Sequence, residues 1–539
     1  MKKNKLLSLL IAASIPLTTF GCSSETIINP KFSKESETDS LEDVSGLSEK
    51  YNPIELETIK EHISSLQNDA EISGNSEKLQ DDIDVLLNDL DAASEALSYI
   101  TVAYYCDWYN DELEYEYDSC YETIYVATEL LTYAFSNCYK IDEYSALFEP
   151  YADIEYLDYY TDRSMSINRL EGYSKVDYSV MDEYLDDYYD IAYNNAKNDD
   201  LKNLEAAEVY LDLLASYDTE TFYDAYNRDF SAEKVLELSS VVQNKLIPAG
   251  NRIEDVLQKN NDLSEIYDSI PVIDDPFETI KKYSSEISPE IAESASLLYD
   301  NSLYVIGSDD NCYDGSFTID LPLENEALIY TYQYGDYYDF INAVHEFGHF
   351  NAALYDDTTS YLINNNIDIA EIQSQGMEML FIPTYDDIYG DSAEIMKALK
   401  LYDTLDSVIS GFIIGEFEYT VLKNLDTFTP EEVVEYFDSM MDKYNYDTNF
   451  YYISHLFEQP GYYISYGVSG LAALDIWETS RNDYDKAVDM YEQISHIKCN
   501  SDEYQFMSAL QECGFNNVMD SEYISNIANS IYNYADDLS

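Results

Sequence analysis

Val344-His345-Glu346-Phe347-Gly348-His349 is the stretch around which this 539-residue chain is organised. Histidines four apart on an α-helix share a face, so both rings can reach one metal ion. Glu346 then lies beside the metal rather than on it, placed to take a proton from a metal-bound water. Phe340, Ile341, Val344, Phe347 and Gly348 fall on or near one stripe, which anchors the helix in a core. With only five histidines in the chain, a pair at this spacing is informative.

Upstream of this helix the chain reads as a small sheet. Ser302–Ile306 and Ser316–Leu321 have strand character, with Asp314-Gly315 as a turn, and Ala327–Tyr332 is a third strand closed by Gly335-Asp336. The exposed edge of such a strand suits an extended peptide. Downstream, two histidines and a water do not complete a metal site, so a third protein ligand is needed. Ile367–Leu380 supplies candidates. Read as a helix, Asp368, Glu371, Gln375 and Glu378 fall three and four apart on one face. Alone, that stripe reads as a solvated face. After an HExxH helix it reads as the partner helix of the site, with Glu371 as third metal ligand. Asp368 and Glu378 are then the carboxylates that orient the histidine N–H groups.

These residues resemble a family. HEFGH, followed about two dozen residues on by D-x-x-E-x-x-S-x-x-x-E, looks like the thimet oligopeptidase and oligoendopeptidase F family of gluzincin zinc metallopeptidases. The matching positions are His345, Glu346 and His349, then Asp368, Glu371, Ser374 and Glu378. The Ile329-Tyr330 strand with Gly335, and the runs Pro276-Phe277-Glu278 and Ile287-Ser288-Pro289-Glu290, are similar to upstream segments of bacterial oligoendopeptidases. The likeness runs from about residue 270 to 480; before that it is helical texture only. The resemblance implies one zinc ion per chain and a mainly α fold of two helical halves around a deep channel that admits short, unfolded peptides. It also implies donors to the oxyanion of amide hydrolysis, which the family takes from a histidine followed by a tyrosine cluster. In this chain His455 precedes Tyr462, Tyr463 and Tyr466. Tyr466 and His455 are the expected donors, with Tyr462 and Tyr463 as substrate-contacting alternatives. Two positions depart from the family pattern. Ala352 stands where many relatives have a further histidine, and Gln373 where many have proline. Neither position carries a group that hydrolysis needs. His62 and His496 have no partner pattern and read as structural or exposed.

Composition bounds the rest. Apolar residues make up 46% of the chain, which excludes a disordered polymer. A net charge of −79 repels a phosphate backbone, so no nucleic-acid partner is expected. The 56 tyrosines suit helices that pack a ring while keeping a hydroxyl wet. Residues 1–21 read as a signal peptide, with Lys2, Lys3 and Lys5 before an apolar run from Leu6 to Leu17 that is too short to span a bilayer. Gly21-Cys22 resembles a bacterial lipoprotein processing site, although Phe20 stands where a small residue is usual. That resemblance implies lipid on Cys22 and a membrane-tethered protein facing the extracytoplasmic side, ordinary secretion being the alternative.

Residues 22–50 read as a flexible tether, 51–269 as an N-terminal helical region and 270–539 as the zinc metallopeptidase region. Six cysteines follow Cys22, an even number that permits disulfides in an exported chain. Cys499 with Cys513, and a pair among Cys106, Cys120 and Cys138, are the sequence-local candidates. The expected activity is hydrolysis of short peptides outside the cell. The competing expectation is a non-catalytic, acidic, Tyr-rich surface lipoprotein that binds a peptide or carbohydrate. The sequence sets no oligomeric state.

Overall fold

The computed structural model describes Leu47 and residues 50–153, 181–194, 196–217, 219, 222–223, 226–259, 266–267, 269–309, 311–364, 366–444, 446 and 448–538. The expected signal peptide and nearly all of the expected tether, Cys22 included, lie outside the described residues. The fold is mainly α-helical. In chain order the elements that matter here begin with α1 (Leu56–Ala70), α2 (Ser76–Cys106) and α3 (Asp111–Tyr139). There follow α4 (Met181–Ala192), α5 (Asp199–Leu214), α6 (Ala232–Leu257), α7 (Pro276–Ile287) and α8 (Pro289–Asp300). Next come β1 (Tyr304–Gly307), β2 (Ser316–Leu321), β3 (Glu326–Tyr332) and α9 (Tyr338–Ala353). The chain closes with α10 (Ile367–Phe381), α11 (Ala393–Lys423), α12 (Pro430–Tyr444), α13 (Ile464–Asn482) and α14 (Ser521–Leu538). Among the described residues no helix is long and apolar enough to cross a membrane.

The chain forms two compact units, each assembled from three segments. The first takes the described residues within Met1–Ser174, Val272–Asn365 and Ser495–Glu503; the second takes those within Lys175–Pro271, Asn366–Ile494 and Tyr504–Ser539.

In the first unit α1, α2 and α3 pack around one buried cluster. α1 contributes Ile59 and Ile63, α2 contributes Leu79, Ile83, Leu86 and Leu90, and α3 contributes Ile124, Leu131 and Phe135. The apolar positions recur at three and four along each helix, which gives each one buried stripe. The C-terminal half of α2 carries Tyr99, Val102 and Tyr105 into a second cluster with Val305, Phe317, Leu328 and Tyr330 of the sheet. The three strands stand where alternation and the Asp314-Gly315 turn place them. Their order is β1-β3-β2, with β1 parallel and β2 antiparallel to β3. Thr318 of β2 sits opposite Ile329 of β3. α9 packs against β2 and β3. Its start is fixed by Asp339, whose carboxylate accepts the Tyr334 and Gly335 N–H groups at 2.8 and 2.9 Å. Gly335 has φ +77, which a side chain disfavours, so glycine lets the strand turn into the helix there.

In the second unit α10 packs on α13, and α11 packs on both α6 and α13. α14 covers α6, and α5 bridges α4 and α12. A Cβ on Gly411 of α11 would lie 2.5 Å from the Gly467 nitrogen of α13, so the closeness of that helix pair depends on glycine. Every residue from Asp368 to Phe381 is buried, so α10 has no solvated face. Asn366 starts this helix: its side chain accepts from Ile369 N at 3.4 Å and donates to Tyr504 O at 3.2 Å. All six described cysteines are free thiols.

Candidate active site

On α9 the His345 and His349 rings lie side by side, centroids 5.0 Å apart, as the four-residue spacing requires. Burial, and His345 beside it, hold His349 well below the usual imidazole range, so the ring is neutral and one of its nitrogens carries a lone pair for a metal. Glu346 is buried next to them. The Thr318 hydroxyl, from β2, meets both Glu346 O at 3.0 Å and Glu346 Oε2 at 2.8 Å. Nothing in the spacing of the sequence singles out Thr318.

Glu371 is buried on α10 and receives the Tyr462 hydroxyl on Oε1 at 3.4 Å. His455 opens the short helix His455–Glu458, and its ring stacks on Tyr462 at 5.2 Å. His455 Nε2 lies 3.4 Å from the Tyr466 hydroxyl. Burial lowers His455 to about 4, so at neutral pH it is an uncharged imidazole able to donate one N–H. Tyr463 contacts Tyr466 edge-on at 5.4 Å. The structure therefore places His455, Tyr462, Tyr463 and Tyr466 in one aromatic cluster, with Tyr462 reaching Glu371. Among the described residues, one ligand atom from each of His345, His349 and Glu371 lies within 4.8 Å of the others. Two imidazole nitrogens and a carboxylate oxygen are a donor set that fits zinc.

Asp368 and Glu378 each meet a cation of the second unit. Asp368 is held by an arginine. Its two oxygens accept from Arg228 Nε at 2.7 Å and Nη2 at 2.9 Å. The same guanidinium donates to Gly461 O at 2.7 Å and Ser465 Oγ at 2.8 Å. It is flanked by the rings of Tyr223 and Tyr226 at 4.5 and 4.4 Å. Glu378 pairs with Lys400 of α11. The physical reason is burial: a carboxylate inside a helical core needs a charged partner or several donors, and the fork of Arg228 supplies both. His62 and His496 pair with Asp89 and Glu290, each at 2.6 Å.

Glu418 of α11 is buried below the tyrosine segment and accepts the Gly461 N–H at 2.8 Å. Burial raises its carboxyl from 4.5 to about 8, against the opposing pull of that N–H and of Arg228. Between those values the folded chain keeps a proton that the unfolded chain releases. Its contribution to stability is thus complete below the unfolded value and is lost as pH rises through about 8. Glu418→Gln, which stays neutral, is expected to flatten this decline. Urea midpoints measured across that range test it; parallel pH profiles for the variant and wild type would show that Glu418 does not titrate there.

No family profile matches the sequence, and no curated protein matches it. Solved structures do. A protein assigned as an oligoendopeptidase F aligns with a TM-score of 0.71 and 14% identity, covering 90% of this chain and 97% of its own. Pz peptidase A with an inhibitor aligns at 0.71 and 16%, covering 90% and 98%. A protein assigned as an oligoendopeptidase F from Bacillus anthracis aligns at 0.67 and 15%, covering 90% and 97%. The chain thus has a mainly helical fold with a three-stranded sheet ahead of its histidine-bearing helix. That fold is the one seen in the oligoendopeptidase F and Pz peptidase structures.

Proposed function

We propose that the chain is a zinc-dependent peptidase acting on short, unfolded peptides. The observation that carries this reading is the convergence of the His345, His349 and Glu371 ligand atoms within 4.8 Å, in a fold shared with oligoendopeptidase F structures. When bound there, zinc supplies the Lewis acidity that polarises a peptide carbonyl and acidifies a water. Glu346 accepts the proton of the attacking water and returns it to the leaving amine. His455 and Tyr466 donate hydrogen bonds to the developing oxyanion. Tyr462, bonded to Glu371, steadies that carboxylate, and Tyr463 stands in the same cluster as a substrate contact.

Purified protein is expected to carry about one zinc per chain and to cleave a quenched peptide mixture in a chelator-sensitive way. A chain free of zinc after gentle purification, with no chelator-sensitive cleavage, sinks this reading. We propose further that the enzyme is exported and held at the membrane by lipid on Cys22, a reading supported by the sequence of residues 1–24. In the same preparations, activity should then sediment with membranes and move to the soluble fraction in Cys22→Ala. Equal partitioning of the two forms would refute the anchor.

A further inference from the structure

The Thr318 hydroxyl has two acceptors, and both belong to Glu346: the main-chain oxygen at 3.0 Å and Oε2 at 2.8 Å. A donor that touches the backbone and the carboxylate of one residue fixes that side chain relative to its own helix. Threonine is not required at this point for the sheet itself. Its cross-strand neighbour, Ile329, offers no polar side chain, and a β-branched apolar residue would serve the strand as well. The burial of Glu346, 1% exposed, raises the cost of leaving its carboxylate poorly bonded. Within the rigid pairing of β2 with β3, and with α9 packed on both strands, the hydroxyl is held in a fixed place.

We infer that Thr318 is a positioning residue for Glu346. It holds the carboxylate in the orientation from which it exchanges a proton with the attacking water and the leaving amine. The inference rests on the peptidase reading above. A hydroxyl has one hydrogen and two lone pairs. Thr318 therefore donates to Glu346 Oε2, while the other carboxylate oxygen takes the proton from the water and returns it to the leaving amine. The contact persists through the cycle, and no proton other than the one on Glu346 changes owner.

The test uses the full chain with its metal. Thr318→Val keeps the shape and strand propensity and removes the hydroxyl; Thr318→Ala removes it with less bulk; Thr318→Ser keeps it. Bound zinc, thermal midpoint, kcat and KM on a quenched peptide are measured for each. Val and Ala variants are expected to keep wild-type zinc content and KM and to lose kcat by roughly tenfold to a hundredfold, a fraction of what a general base supplies. Thr318→Ser is expected to stay within about threefold of wild type. A structural role would instead lower the midpoint, or the zinc content, together with kcat. An active wild type with equally active Val and Ala variants overturns the inference alone. So does a loss that serine fails to rescue. A wild type that binds zinc but cleaves nothing overturns the peptidase reading, and this inference with it.

Discussion

Glu346→Gln is expected to retain its zinc and to lose peptide turnover by roughly 10²- to 10⁴-fold. The two properties separate because Glu346 is not among the converging ligand atoms, which come from His345, His349 and Glu371. Glutamine has the same shape, and its amide oxygen still accepts the Thr318 hydroxyl, so neither α9 nor β2 need move. The amide cannot take a proton at neutral pH, so the attacking water keeps its own and the leaving amine receives none. The loss should fall on kcat, with KM little changed, because peptide binding does not use the proton. Metal content by elemental analysis and steady-state rates on one preparation check both halves. A zinc-loaded variant with turnover near wild type would show that another group is the base.

The parts of this site differ in how far they could be read from sequence, and the reason is distance along the chain. The His345–His349 pair is legible because helical period puts it on one face within a single turn. The strands before it are legible from alternation and from Asp314-Gly315, and β1, β2 and β3 stand within two residues of those expectations. α10 is a harder case. Its stripe of Asp368, Glu371, Gln375 and Glu378 has the look of a solvated face, and only the motif before it argues for the interior; the structure buries all four. What sequence period cannot show is the partner that makes this burial tolerable. Arg228 sits in a Tyr-Asn-Arg-Asp-Phe run with no helical pattern, 140 residues from Asp368. Thr318 is 28 residues from Glu346 in a strand where any β-branched residue would fit. Both contacts are set by tertiary packing. For Arg228 the signal in the sequence is scarcity: with 28 Lys and Arg against 107 Asp and Glu, most cations have acids to choose from at the surface, and a buried arginine is spent on a particular one.

That scarcity gives the second large effect. Arg228→Met is expected to destabilise the second unit by about 3–5 kcal/mol, because it leaves the Asp368 carboxylate buried without its cation. Lysine should not rescue it. The guanidinium makes two bonds to Asp368 and one each to Gly461 O and Ser465 Oγ, and a single ammonium cannot reproduce that planar fork or its stacking between Tyr223 and Tyr226. The double variant Arg228→Met with Asp368→Leu removes both charges and should recover most of the lost stability, since an apolar pair of similar volume does as well in a core as an ion pair. Urea unfolding of the three variants measures the coupling; a single Arg228→Met within about 1 kcal/mol of wild type would show that the pair is not holding the core. The double variant also separates stability from register. Arg228 is bonded at once to the helix that carries Glu371, through Asp368, and to the segment that carries Tyr462 and Tyr466, through Gly461 and Ser465. A stable double variant with depressed kcat would locate the function of this arginine in the spacing between Glu371 and its tyrosines; one with full kcat would confine it to the fold.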